Sequence, residues 1–344
     1  MKKTEFGTLG NESVYRYDLT NEKGYKVSVM NYGATLLAYE IPDKNGDFKN
    51  VVVSTPRFEE YINNSPRWSA TIGPVAGRIA NATFTLGDVV YTLEKNNGNH
   101  HLHGGSNGYE QVLFDVDSSN DTTVTFITHQ KDMAQGYPGN IVFKVTYTLL
   151  ENGELIIAYN VTTDKDTLMN PTNHSYFNLS GDVTKPIDEQ VVTLKSTGYT
   201  VLDDDNIPTG EINCIDAFFE KLTKGVPLKD VFEDTHEQIA TRNGIDHAFV
   251  LKQTTEQITI FDAMSGRQLH VTTQSPAVVL YTANGFDDVT FINGQKPVVH
   301  NGIAVETQVL PDAIHHSGFG NIVLKANETF TTQTHYIPSV IIEK

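Results

Sequence analysis

Runs of alternating or β-branched residues recur along the chain, and turn-forming residues end each one within a few positions. They are Tyr25 to Met30, Thr83 to Leu86, Val124 to Thr128, Ile141 to Leu149, Leu155 to Thr162, Gln190 to Lys195, Ile258 to Phe261 and Ala277 to Thr282. A side-chain period of two suits a strand with one buried face and does not suit a helix. In Ile141 to Leu149 the odd-numbered Ile, Phe, Val, Tyr and Leu share a face, and Val142 is the one apolar residue on the other. Asn152-Gly153 follows, two residues that tolerate positive φ, which predicts a tight hairpin into the next strand. Helical signals are few. Thr55-Pro56 predicts a short helix through Tyr61 with the threonine as its cap, and a second is expected between Leu228 and Phe232. Many short strands with few helices predict an all-β fold, a large antiparallel β-sandwich.

The chain has 344 residues, a length at which sandwiches still keep one core, and its 17 Phe and 15 Tyr are enough to fill it. No repeat, low-complexity tract or Gly/Ser linker divides it, so a single domain over residues 1–344 is expected, with 201–240 as a long excursion richer in Asp, Pro and Gly. The balance of 25 Lys and Arg against 42 Asp and Glu, a net −17, repels nucleic acid and anionic membrane surfaces. No cluster of Lys and Arg stands out in the sequence, which favours a neutral substrate over a phosphorylated one. The single cysteine, Cys214, excludes an internal disulfide and fits a reducing compartment; it is expected to be a buried or half-buried thiol with no nucleophilic role. Lys2-Lys3 is followed by no apolar run, and no stretch approaches the roughly 18 apolar residues of a membrane span. A cytoplasmic location is expected.

Against this background a few polar segments stand out. His103 lies in Leu102-His103-Gly104-Gly105, where the glycines let the chain turn sharply beside the imidazole and bring backbone N–H groups near a ligand. His101 and His103 share a strand face, and His-x-His is also a metal pattern. A cupin-type site would add a glutamate four or five positions after the second histidine, where Asn107 and Gly108 stand, so no metal is expected. His100 and His101 are read as surface or hydrogen-bonding residues. His174 lies in Asn173-His174-Ser175-Tyr176-Phe177-Asn178-Leu179, whose polar groups are costly to bury together unless partners or a ligand satisfy them. Either a satisfied core histidine or a pocket meets that requirement. Glu306 shares a strand face with Ala304 and Gln308, a position where a glutamate is commonly solvated. Asp246 follows a turn glycine, and such aspartates often bond their own backbone. Gly73-Pro74-Val75-Ala76-Gly77-Arg78 delivers a guanidinium that can fork onto hydroxyls or an oxyanion, although most lone arginines lie on the surface.

In these residues the chain resembles the aldose 1-epimerase family, the galactose mutarotases. The resemblance covers essentially the whole chain. Gly77-Arg78-Ile79, Leu102-His103-Gly104-Gly105, Gly136-Tyr137-Pro138-Gly139, Asn173 to Leu179, Pro208-Thr209-Gly210-Glu211, Gly244-Ile245-Asp246-His247 and Glu306-Thr307-Gln308 stand in family order. It implies a galactose mutarotase-like supersandwich with a few short helices, an open sugar cleft, a free aldose such as galactose or glucose as substrate, and no cofactor. It also implies that His174 is the acid and Glu306 the base, with Arg78, His103, Tyr176 and Asp246 at substrate-contacting positions. Family members occur as monomers and as dimers. Two positions depart from the common pattern: Gly77 stands where many members have Asn, and Val279 where many have Gln, which removes two sugar-contacting amides. The competing expectations are a maltose-preferring or hexose-phosphate epimerase, a sugar-binding β-sandwich without turnover, and a glycoside hydrolase using Glu306 and Asp246.

Overall fold

The alternation in Ile141–Leu149 is realised residue for residue: its odd-numbered side chains are buried and its even-numbered ones half-exposed. In the computed structural model, which describes residues 1–62, 66–214, 216–285 and 297–342, this strand pairs antiparallel with Thr123–Gln130 and Leu155–Thr163. The three belong to a nine-stranded sheet that continues through Thr329–Val340, Arg267–Thr273, Ile258–Phe261 and Val191–Leu194. A second sheet of six strands runs in the order Tyr176–Phe177, Ile303–Gln308, Ala277–Tyr281, Asp246–Leu251, Ser196–Leu202, Pro208–Asn213. A third, of five strands, is built from Lys2–Leu9 through Phe48–Asn50. Tyr39 and Val29 of the N-terminal sheet, Phe143 and Tyr336 of the largest, and Phe249 and Val305 of the six-stranded sheet meet in one buried cluster. The all-β sandwich therefore buries one face of the six-stranded sheet and leaves the other to build a site.

A buried arginine ties these layers together. Arg267 is 1% exposed, and its guanidinium donates to the carbonyls of Ile41 (3.2 Å), Asp47 (2.9 Å), Leu179 (3.2 Å) and Ser180 (3.2 Å). A planar five-donor group is suited to collecting carbonyls from several loops at once.

Helices are few and short, as expected, but differ in detail. Leu228–Phe232 is an α-helix. The segment after Thr55-Pro56 forms only a 3-10 turn, Phe58–Glu60, with no side-chain cap: Arg57 takes the cap position, and the Thr55 hydroxyl donates to the Arg57 carbonyl at 3.3 Å instead of accepting a backbone N–H. Residues 201–240 carry two further helices, Ala217–Lys224 and Glu237–Ala240; Asp216 caps the first by accepting from the Phe219 N–H at 2.8 Å. Cys214 is exposed, contrary to expectation, because it follows the edge strand Pro208–Asn213, most of which faces solvent. Among the described residues no helix is long and apolar enough to cross a membrane.

Arg267→Met is expected to lower unfolding free energy by about 2–4 kcal/mol, since it leaves several buried carbonyls without a donor. Urea unfolding measures this, and a loss below about 0.5 kcal/mol, the level of a neutral surface change, would show that the carbonyls find other donors.

Candidate active site

Strand register assembles the site on the open face of the six-stranded sheet. Tyr176 is opposite Ala304, Ala304 opposite Tyr281, and Tyr281 opposite Asp246, which makes one row of side chains across four strands. In the next row Glu306 is opposite Val279, and Val279 opposite Ala248. Directly paired residues share a face, so Tyr176, Tyr281, Asp246, Glu306 and Val279 all face the same way. The sequence pattern read Glu306 as a residue commonly solvated; it is instead 3% exposed. Its strand is buried throughout, and the solvent side is covered by the loops carrying His174 and His103.

His174 is aimed by its neighbours. The Asn173 side chain donates to the Tyr147 hydroxyl (3.1 Å) and the Ser69 carbonyl (3.4 Å) and accepts from the Ser175 N–H (3.2 Å) and hydroxyl. Asn178 is likewise used up, on the carbonyls of Lys185 and Asn301 and the Gln190 amide. The amides that made this segment look like a pocket are thus scaffold, and His174 is the residue left over. Its Nε2 lies 3.4 Å from Glu306 Oε1, while His174 Nδ1 and Glu306 Oε2 are buried without hydrogen-bond partners.

His103 and Arg78 arrive on paired strands, His101–Leu102 against Arg78–Ile79. The His103 N–H donates to the Gly77 carbonyl (3.1 Å), and the Gly77 N–H donates to His103 Nδ1 (3.2 Å). Gly104 must be glycine: at φ +86 a Cβ would lie 2.0 Å from the Gly73 carbonyl oxygen. Gly77, at φ +75, would place a Cβ 2.9 Å from Pro311, so the missing amide there follows from local packing. Arg78 fixes its Nε on Asn97 (3.0 Å), leaving the rest of the guanidinium at the cavity wall. The His103 and His174 rings are 5.5 Å apart, and His174 is 5.0 Å from Tyr176. Arg78, His103, His174, Tyr176, Asp246 and Glu306 all line one cavity of about 560 Å³, within the usual range for a small-molecule site. Tyr176 contributes its ring, since its hydroxyl donates to the Pro66 carbonyl at 2.9 Å.

Burial sets the electrostatics. Desolvation, reinforced by the Asp246 charge and opposed by Arg67 and Arg78, pushes the Glu306 carboxyl up to about 8. Desolvation and then Arg67 push the His174 imidazole down to about 3. His103 is held well below the ordinary histidine value, first by burial and then by Arg67. Asp246 is raised by burial, against Arg78 and Arg242. At neutral pH the His174 and Glu306 pair holds one proton, an arrangement suited to moving protons between two oxygens of one ligand.

The donor atoms of His103, His174 and Glu306 lie within 4.8 Å of one another, a grouping that a metal ion can use. The Gly77 N–H bond to His103 Nδ1 argues against it. That nitrogen must be the acceptor, so Nε2 carries the proton and presents a donor to the cavity instead of a lone pair. His101 does not join the group: its Nδ1 bonds the Glu94 carbonyl (2.8 Å) and its Nε2 the Tyr137 hydroxyl (2.9 Å).

Several lining residues carried no signal in the sequence. Tyr281, Arg67, Arg242, Asp204, Asn206 and Asn284 also border the cavity. The expected absence of a basic cluster holds only along the chain, for the fold gathers Arg67, Arg78 and Arg242 around Asp204, Asp246 and Glu306, three cations against three carboxyl groups. Arg242 is anchored on Asn206 (2.8 Å) and the Asp203 carbonyl (2.7 Å).

The family model for aldose 1-epimerase matches residues 15–337. The galactose mutarotase of Sus scrofa is 34% identical over 98% of both chains, and the maltose epimerase of Levilactobacillus brevis is 34% identical over 95% of both. Among solved structures, the galactose 1-epimerase of Lactobacillus acidophilus superposes with a TM-score of 0.87 at 26% identity, covering 98% of each chain. The GalM/aldose epimerase homologue from C. elegans gives 0.87 at 27%, covering 95% of this chain and 99% of that one.

The raised Glu306 carboxyl has a consequence for stability. A carboxyl whose pKa is higher folded than unfolded contributes stability that is fully present below the unfolded value of about 4.5 and is lost as pH rises through the folded value of about 8. Glu306→Gln removes that loss and is expected to raise Tm at pH 9 by roughly 2–5 °C while changing little at pH 5. Equal Tm differences at the two pH values would contradict the burial argument.

Proposed function

Because this chain belongs to the aldose 1-epimerase family and is an isomerase, we propose that the cavity on its six-stranded sheet interconverts the α and β anomers of a free hexose, with His174 and Glu306 as the acid–base pair. The observation that carries the assignment is their 3.4 Å approach at the cavity, each with a second polar atom buried and unpartnered. A satisfied core histidine would leave no such atoms.

The reaction uses the charge-separated form of the pair, with the proton on His174 and a carboxylate on Glu306. Glu306 takes the proton of the C1 hydroxyl, the C1–O5 bond breaks, and O5 takes the proton of His174. The sugar is then an open-chain aldehyde, Glu306 is protonated and His174 neutral. Rotation about C1–C2 turns the other face of the carbonyl to the C5 hydroxyl. Reclosure returns a proton to the carbonyl oxygen from Glu306 and the O5 proton to His174, so the pair ends as it began. His103, with its proton on Nε2, donates toward developing negative charge, and Arg78 adds a guanidinium. Asp246 accepts from sugar hydroxyls as a charge-assisted partner.

Arg67 is committed to Glu110 and Arg242 to Asn206 and the Asp203 carbonyl, so few cationic donors are left for a phosphate, which supports a neutral sugar over a phosphorylated one. The named activities of the relatives divide between galactose and maltose, and Val279, beside Glu306 on the same face, offers no amide to a hydroxyl. Polarimetry on α-galactose, α-glucose and maltose ranks the substrates, and the fastest is expected to be a monosaccharide; a clear preference for maltose would move the assignment to a disaccharide epimerase.

His174→Asn and Glu306→Gln are each expected to lower kcat by roughly 10²-fold or more, with KM within a few-fold, the size of a lost general acid or base. Arg78→Ala should weaken both parameters. The pH dependence has a definite sign. Activity requires one proton on the pair, so kcat/KM is expected to be flat through neutral pH and to fall above about 8 as that proton is lost. Its acid-side fall should lie far lower, toward about 3, where His174 takes a second proton. A kcat/KM that instead rises through pH 8 would mean that Glu306 works alone and that the donor is a different group.

A further inference from the structure

We propose that Arg67 is a further positioning residue for this reaction, a guanidinium that Glu110 holds at the wall beside His103, His174 and Glu306. The proposal rests on the acid–base reading of that trio. Neither the sequence pattern nor the family motifs point to Arg67.

Its placement is overdetermined. The segment 66–70 is stitched to the one that carries His174: the Tyr176 hydroxyl donates to the Pro66 carbonyl (2.9 Å), the Ser69 N–H to the His174 carbonyl (3.1 Å), and the His174 N–H to the Ala70 carbonyl (2.9 Å). The Trp68 ring packs edge-on against Tyr176 at 5.1 Å. Between these bonds Arg67 and Ser69 hold φ of 53° and 54°, a left-handed backbone that non-glycine residues adopt only where the surroundings impose it. Arg67 Nε lies 3.5 Å from Glu110 Oε1, with side-chain exposures of 21% and 5%. Glu110 stands on the turn Tyr109–Gln111, which follows the His103 loop, and its Oε2 is buried without a hydrogen-bond partner. Burying a carboxyl at this cost is reasonable where it anchors a cation with work to do.

That work is exerted on the proton affinity of the pair. Arg67 opposes protonation of His174, of His103 and of Glu306. The other charged groups bearing on Glu306 are Arg78, which acts in the same direction, and Asp246, which opposes it; the neutral phenols of Tyr176, Tyr281 and Tyr336 and the rings of His103 and His174 also face it. With Arg67 present the pair holds its proton less tightly and hands it to a sugar oxygen more readily. Glu110, itself raised to about 7 by burial against the pull of Arg67, is largely ionised at pH 8 and tempers the guanidinium.

The test is the pH profile of kcat/KM by polarimetry for the wild type and for Arg67→Gln, Arg67→Lys and Glu110→Gln, on the monosaccharide the wild type equilibrates fastest. Arg67→Gln should move the alkaline limb up by about one pH unit and lower kcat at pH 7 by roughly tenfold. Arg67→Lys should keep the limb within about 0.3 unit of the wild type. Glu110→Gln, which leaves the guanidinium untempered, should move it down. A folded Arg67→Gln variant whose limb stays in place overturns the proposal, since a merely structural arginine has no reason to move it. If Arg67→Gln does not fold, Glu110→Gln decides: a limb that is unmoved or shifted upward overturns it. Glu306→Gln is the control. Near-normal turnover there sinks the acid–base reading itself, whereas its loss together with unmoved limbs sinks only the role of Arg67.

Discussion

Everything at this site depends on the removal of one carboxyl group from water. Glu306 lies on a strand buried over its whole length, and a buried carboxyl resists ionising unless something stabilises the charge. His174 suffers the opposite penalty as an imidazolium. Two groups that each prefer neutrality are held 3.4 Å apart with a single proton between them. The fold keeps that arrangement by committing the Asn173 and Asn178 amides to other groups and leaving His174 Nδ1 and Glu306 Oε2 without partners. Burying those atoms without partners costs stability locally, and the surrounding sheets offset it.

The sheet architecture explains how such a pair is placed accurately. One face of the six-stranded sheet contributes Phe249, Val278 and Val305 to the main core, while the opposite face carries Asp246, Val279, Tyr281 and Glu306 in register. A one-residue slip would exchange these sets, so the hydrophobic demand of the core also fixes the orientation of the cavity face. The loops above it are held by short-range devices: the closed Gly77 and His103 hydrogen bonds, the close approach at Gly104, and the Asn173 clasp around His174.

Much of this was legible in the sequence, for identifiable reasons. Strands such as Ile141–Leu149 and Ile258–Phe261 matched their predicted limits because period-two burial leaves a direct trace. The helix Ala217–Lys224 escaped notice, being a short element lodged in a stretch rich in turn residues. The motifs around Arg78, His103, His174, Asp246 and Glu306 pointed to residues that line one cavity. Periodicity could not reveal that Glu306 is buried, because alternation tells which residues share a face and not what covers that face. Arg67, Tyr281 and Arg242 were invisible for the same reason: their nearness to the pair arises from strand order and loop return, both long-range. Asn173 and Asn178 looked like ligand-binding amides because their backbone partners lie far away in sequence, at Ser69 and Asn301.

The account stands or falls on where a sugar ring sits relative to the pair. A crystal structure with a bound monosaccharide measures this directly. The predicted result places the ring oxygen within hydrogen-bonding distance of His174 Nε2 and the C1 hydroxyl within hydrogen-bonding distance of a Glu306 carboxylate oxygen, the hexose having entered between two groups that otherwise face each other. A ring lying elsewhere in the cavity, with O1 and O5 directed at other residues and the 3.4 Å contact of His174 with Glu306 intact, would contradict it.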